Sequence, residues 1–215
     1  MNCVAFVHAK GNSERVPKKN VKLLGGKPLF TWALQNAFCA REISEVVIDS
    51  DDDEILEIGA GLGATPLKRP KHLANNKTTG DDLAYWQASN RPDSDLIAQV
   101  IPTSPFIRGE SIDRACKNIL GVDSIVGVYE ERFYLWEDGR PSYYNENGTL
   151  PNSFELKPTV YETTGLYVTK TSYILKNARR MNPNCCRALY LSKLESIDIN
   201  TAEDFEFAEL IATKL

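Results

Sequence analysis

Histidine is scarce in this sequence: His8 and His72 are the only two. Chemistry that needs clustered imidazoles, a zinc site or a His-based triad, therefore has little material. The five cysteines (Cys3, Cys39, Cys116, Cys185 and Cys186) are odd in number and show no C-x-x-C spacing. That pattern disfavours zinc and fits reduced thiols in a cytoplasmic protein. No apolar run approaches the ~20 residues that span a bilayer, so no membrane partner is expected. The apolar run near the N-terminus is short and lacks a charged leader, so no secretory signal is expected either. Charge of one sign is also thin on the ground. The formal net charge is -4 with no long like-charged block, which disfavours the basic face that nucleic-acid binding requires. Neither Walker A nor the dinucleotide fingerprint G-x-G-x-x-G occurs.

What is present is alternation. Apolar runs at Cys3–Val7, Glu45–Ile48, Thr65–Leu67, Leu96–Ile101, Ser124–Tyr129 and Gly165–Thr169 read as strands. Helical patterns fall between or after them, at Leu29–Ala40, Asp52–Gly61, Asp81–Ser89, Ser111–Leu120, Ser172–Ala178 and Ala202–Ala212. Asp51 with Glu54, and Thr201 with Asp204, have the spacing of helix N-terminal caps. Such alternation predicts an α/β fold, a mostly parallel sheet with helices on both faces, in a single domain over 1–215. The pattern breaks over 130–160. There Phe133, Tyr134, Trp136, Tyr143, Tyr144 and Phe154 lie among turn signals, which predicts a projecting β-hairpin. Its aromatics suit burial against a partner subunit, or against the core of their own.

The segment Ala9 to Asn20, AKGNSERVPKKN, follows the first strand directly. It combines a glycine, small polar residues and the cations Lys10, Arg15, Lys18 and Lys19. A loop of this kind at the carboxyl end of the first strand is where an α/β sheet places a nucleotide's phosphates. Backbone N–H groups can cradle phosphate oxygens there, and Lys or Arg can neutralise them.

Further blocks follow in order: LLGGKPL (Leu23–Leu29), VVIDSDDDEI (Val46–Ile55), KRPKHLA (Lys68–Ala74), TTGDD (Thr78–Asp82), PTSPF (Pro102–Phe106) and SIDINTAEDF (Ser196–Phe205). Together with the opening loop, this ordered set resembles the cytidylyltransferases that activate acidic nine-carbon and eight-carbon keto-sugars. The resemblance covers nearly the whole chain. It implies a Rossmann-like sheet, a homodimer held by a projecting element at the 130–160 excursion, and Mg²⁺. The implied reaction joins CTP to a keto-sugar acid, giving CMP-sugar and pyrophosphate.

Residue by residue, the resemblance makes Lys19 of the P-x-K-N segment the first phosphate-contacting cation. Lys10 stands where the family commonly has arginine. Glu14 stands where it commonly has lysine, and the neighbouring Arg15 supplies a substitute charge. Ala9, Gly11, Asn12 and Ser13 offer backbone groups and a hydroxyl to the nucleotide. Arg69 matches the arginine of an L-R-P segment and points to cytosine. Thr78 and Thr79 match small hydroxyl residues that contact base or ribose, or cap the following helix. Asp198 is the expected metal carboxylate, which would also help deprotonate the sugar hydroxyl. Asn200 replaces a second carboxylate. The sugar side departs most. Ile101 stands where glutamine is frequent, Ile107 where arginine is usual, and Glu162 near another arginine position. Asn152, Glu162 and Thr164 are candidate sugar contacts, and Glu162 would suit a sugar bearing an ammonium. The acidic run Asp49 to Glu54 reads mainly as helix N-terminus chemistry. His8 and the Cys185–Cys186 pair read as packing.

Overall fold

The computed structural model describes residues 1–13, 15–142, 148 and 150–215. The chain begins with β1 (Cys3–His8), whose residues through Val7 are buried on both faces, as an apolar central strand must be. A two-residue pair follows, β2 (Leu23–Leu24) and β3 (Lys27–Pro28). Its turn uses Gly25 and Gly26, both at positive φ (56° and 80°), where a side chain would be strained. Next come α1 (Leu29–Cys39), β4 (Ile43–Ser50), α2 (Asp53–Gly61), β5 (Thr65–Lys68), α3 (Gly80–Ser89), β6 (Leu96–Val100), α4 (Gly109–Lys117) and β7 (Ser124–Glu131). A small hairpin, β8 (Trp136–Glu137) and β9 (Arg140–Pro141), precedes β10 (Thr159–Lys170). The chain then forms α5 (Thr171–Asn177), β11 (Cys186–Tyr190) and α6 (Ala202–Ala212).

Seven strands form one sheet in the order β11-β7-β10-β6-β1-β4-β5. All neighbours are parallel except those of β10, which runs antiparallel to both β6 and β7. The expected α/β, Rossmann-like sheet is what the chain forms. Its larger core packs α1, α2 and α4 against one face. Val4, Phe6, Val47 and Ile97 meet α3 and α5 on the other. A third cluster joins Leu24, Leu29 and Phe106 to Ile199 and α6. From β1 the strand order runs outward through β4 on one side and β6 on the other. A crevice therefore opens at their carboxyl ends, where such sheets bind ligands.

Three local expectations need correction. The cap of α2 is Asp52, one residue later than expected. Its carboxylate accepts from the N–H groups of Glu54 and Ile55. Edge strand β11 was not expected, because most of its residues are exposed and it carries no apolar run; Cys186, expected to pack, is one of those exposed residues. Strand β10 begins earlier than expected and breaks register between Glu162 and Tyr167. There Thr164 sits at φ 58°, a strained conformation for a β-branched residue. The Thr201–Asp204 capping box forms as anticipated. No helix among the described residues is long and apolar enough to cross a membrane.

Candidate active site

A cavity of about 490 Å³ opens at the crevice beyond β1 and β6. His8, at the end of β1, and Ile101, Pro102 and Thr103, following β6, line its floor and one wall. One end is cationic, with Lys10, Arg15 and Lys19 beside Ser13 and Asn20. Lys19 is only 6% exposed, and its ammonium donates to the Ile199 carbonyl at 2.6 Å. Burial lowers its pKa most. Asp198 opposes that shift, while Arg15 and Lys10 add to it. Asn20 ties the loop down by donating to the Lys10 carbonyl, and the Lys10 ammonium reaches Asn76 Oδ1.

The loop's backbone is less available than the sequence suggested. Ala9 is buried, and its N–H goes to the Asp49 carbonyl. The Gly11 N–H goes to the Asp51 carboxylate at 3.0 Å. A Cβ on Gly11 would collide with the Asp52 carboxylate, so glycine is needed for the loop to lie against the start of α2. Gly11 and the exposed Asn12 lie outside the cavity lining. Glu14 lies outside the described residues.

The other end of the cavity is built on a buried polar network. Arg69 donates through Nε to Asp49 Oδ1 (2.9 Å) and through Nη2 to the Asp49 carbonyl (2.8 Å). Gln87 of α3 donates to the second Asp49 oxygen, and Gln99 of β6 donates to Gln87. Arg69 thus lines the cavity with its orientation held by a fully buried carboxylate. Thr78 lines the cavity too. Thr79 does not: its hydroxyl forms the capping box of α3 with Asp82, because the first turn's N–H groups need an acceptor. His8, read from sequence as packing, lines the cavity. Burial, reinforced by Arg69 and Arg180, lowers its pKa to about 3, so the ring is neutral. Strand alternation was the signal that could have found it, since it sets His8 on the face of Phe6 at a strand's carboxyl end.

Asp198 lies outside the cavity lining but acts on the cavity's Lys19, whose charged form it favours. The next residue, Ile199, donates to the Thr103 carbonyl and accepts from Lys19. Asp198 Oδ2 accepts from the Asn200 amide, while Oδ1 is sealed from solvent with no hydrogen-bond partner. Asn200 therefore orients the carboxylate. The candidate sugar residues lie apart from the cavity lining. Asn152 is exposed and binds Glu155 through its N–H at the start of a short turn. Glu162 accepts from the Tyr167 hydroxyl at 2.9 Å. Thr164 is exposed at the β10 irregularity. Of the excursion's aromatics, Tyr143 and Tyr144 lie outside the described residues.

Sheet, crevice and cationic loop together define a nucleotide-binding α/β protein. Residues 4–132 match the family model described as Cytidylyltransferase, and the chain belongs to that family, whose members are nucleotidyltransferases. It is 24% identical to a pseudaminic acid cytidylyltransferase of Campylobacter jejuni, over 98% of this chain and 96% of that protein. It is 27% identical to a CMP-N,N'-diacetyllegionaminic acid synthase of Legionella pneumophila, over 97% and 95% of the two. A solved CMP:2-keto-3-deoxy-manno-octonic acid synthetase complexed with CTP shares the fold, with a TM-score of 0.73, 15% identity and full coverage of both chains.

Proposed function

We propose that the chain couples CTP to a sialic-acid-like keto-sugar acid, releasing pyrophosphate and CMP-sugar. The observation that carries this reading is the meeting of Lys19 with the Asp198–Ile199 segment at one edge of a cationic, carbonyl-anchored cavity. Lys10, Arg15 and Lys19 would hold the triphosphate and stabilise charge that builds on its oxygens as the anomeric hydroxyl attacks the α-phosphorus. Ser13 and Thr78 would contact the nucleotide, and Arg69, pre-oriented by Asp49, the base. Asp198 would accept the hydroxyl proton, with Asn200 holding it in place.

Mg²⁺ fits this donor set. Oδ1 of Asp198 is buried without a partner, and Mg²⁺ commonly takes one or two carboxylates plus phosphate oxygens. When bound, it would neutralise triphosphate charge. Glu162, Asn152 and Thr164 remain proposed sugar contacts, reached when substrate bridges from the cavity to β10. A homodimer would cover the exposed Trp136 and Phe154 of the excursion. The free thiols suit a reducing cytoplasm.

The test is pyrophosphate release from each of four nucleoside triphosphates with a panel of nine-carbon and eight-carbon keto-sugar acids. CTP-dependent turnover with a nine-carbon acid is expected. Turnover only with an octulosonate would replace the sugar assignment, and no pyrophosphate with any pair would leave a binding protein rather than an enzyme.

A further inference from the structure

His8 is the one imidazole in the cavity lining, and its environment is specific. It ends β1 in register with Asp49 of β4. It shares its face with Phe6, which packs under α3. Nδ1 is sealed from solvent and makes no hydrogen bond. A ligand in the cavity does not reach that sealed atom, so Nε2 is the nitrogen left to meet one. The charged groups acting on the ring are Arg69 and Arg180. The Arg180 guanidinium lies 4.0 Å over the Tyr167 ring. Asp49, opposite His8 in the β1–β4 register, holds the Arg69 guanidinium, so His8 belongs to the Arg69 end of the cavity. Among the described lining residues there is no carboxylate, while cationic donors abound. A ring that offers both donor and acceptor atoms along one edge needs an uncharged acceptor here, and Arg69 can only donate.

We propose that His8 reads the base: its uncharged imidazole accepts a hydrogen bond from the 4-amino group of cytosine, while Arg69 donates to the ring's acceptor edge. The proposal rests on the CTP reading above. Uracil carries an oxygen at position 4 and an N–H at position 3, so His8 would have to change tautomer to meet that oxygen, and Arg69 would face a donor it cannot accept from. Sites built to pair with a polar group reject analogues that leave it unpaired.

The experiment compares kcat/KM for CTP and UTP, by pyrophosphate release, in wild type, His8→Phe and His8→Gln. His8→Phe keeps a flat ring without nitrogens. His8→Gln keeps an uncharged acceptor. The CTP-over-UTP ratio should fall at least about tenfold in His8→Phe, mainly through KM for CTP, and recover largely in His8→Gln. If His8→Phe does not fold, His8→Leu and His8→Gln carry the same comparison. A ratio in the nitrogen-free variant within about twofold of wild type, or a His8→Gln ratio as low as that variant's, overturns the proposal. A wild-type enzyme that ignores CTP would instead end the parent reading. CTP dependence with an unmoved ratio ends only the role of His8.

Discussion

Polar side chains on the cavity wall under α3 interlock in the buried interior, whereas most of those around the β7–β10 excursion bond at or near the surface. Asp49, Arg69, Gln87 and Gln99 come from β4, the segment after β5, α3 and β6, and interlock in the interior. Asn152 binds Glu155 at the surface, and the exposed Glu162 accepts from the buried Tyr167. A buried network has one satisfied arrangement and resists change. Exposed local bonds cost little to exchange. The wall proposed to meet the nucleotide is thus held by one buried arrangement, while the side proposed to meet the sugar rests on more exposed bonds.

The largest expected effect tests the rigid wall. Arg69→Leu leaves the Asp49 carboxylate buried without its cation and should cost about 3–5 kcal/mol in urea unfolding. Adding Asp49→Leu should restore much of that loss; a single variant costing under about 1 kcal/mol would mean the wall is not held by this pair. Next, Lys19→Ala and Asp198→Ala should each lower kcat by about 10²–10³-fold with a cooperative melt preserved. Normal turnover of CTP in both variants would undo the site assignment.

The half-buried, neutral ring of His8 predicts a pH effect. Its folded pKa is about 3 against an ordinary 6.5, so below pH 6.5 the unfolded chain binds a proton that the folded chain refuses. Stability is fully present above pH 6.5 and lost as pH falls, at up to about 1.4 kcal/mol per unit. The window from about 6.5 to 4.5 isolates His8, because the shifted carboxylates Glu45, Asp82, Asp123, Glu195 and Asp204 all titrate lower. His8→Phe should flatten that slope; an unchanged slope would contradict the neutral, half-buried ring. The smallest effect probes the other region. Thr164→Gly relieves a left-handed, β-branched residue and should stabilise by about 1 kcal/mol, less glycine's own entropic penalty. A destabilisation would show that the Thr164 side chain contributes more than its strain costs.

Much was legible in the residues themselves. Strand β1, helix α1 and the Thr201–Asp204 cap followed from apolar runs and capping spacing, which are local properties. Strand β11 was not, because an edge strand with exposed side chains lacks an apolar run. Lys19, Lys10 and Arg69 were legible as candidates and line the cavity, but the partner that orients Arg69 lies twenty residues earlier on another strand. Thr78 and Thr79 were indistinguishable until the helix began at Gly80 and took the Thr79 hydroxyl for its cap. His8 looked like packing because alternation gives the face its ring takes but not the cavity that opens beyond that face at the strand's end.

The order of strands and helices, the cationic loop after the first strand and the family were settled by the chain's linear order, since they depend on neighbouring residues and on blocks in sequence. Which N–H groups of that loop are already spoken for, which threonine faces the cavity and whether His8 is neutral were decided by the fold. Those properties arise from strand register and burial, which bring residues tens of positions apart into contact.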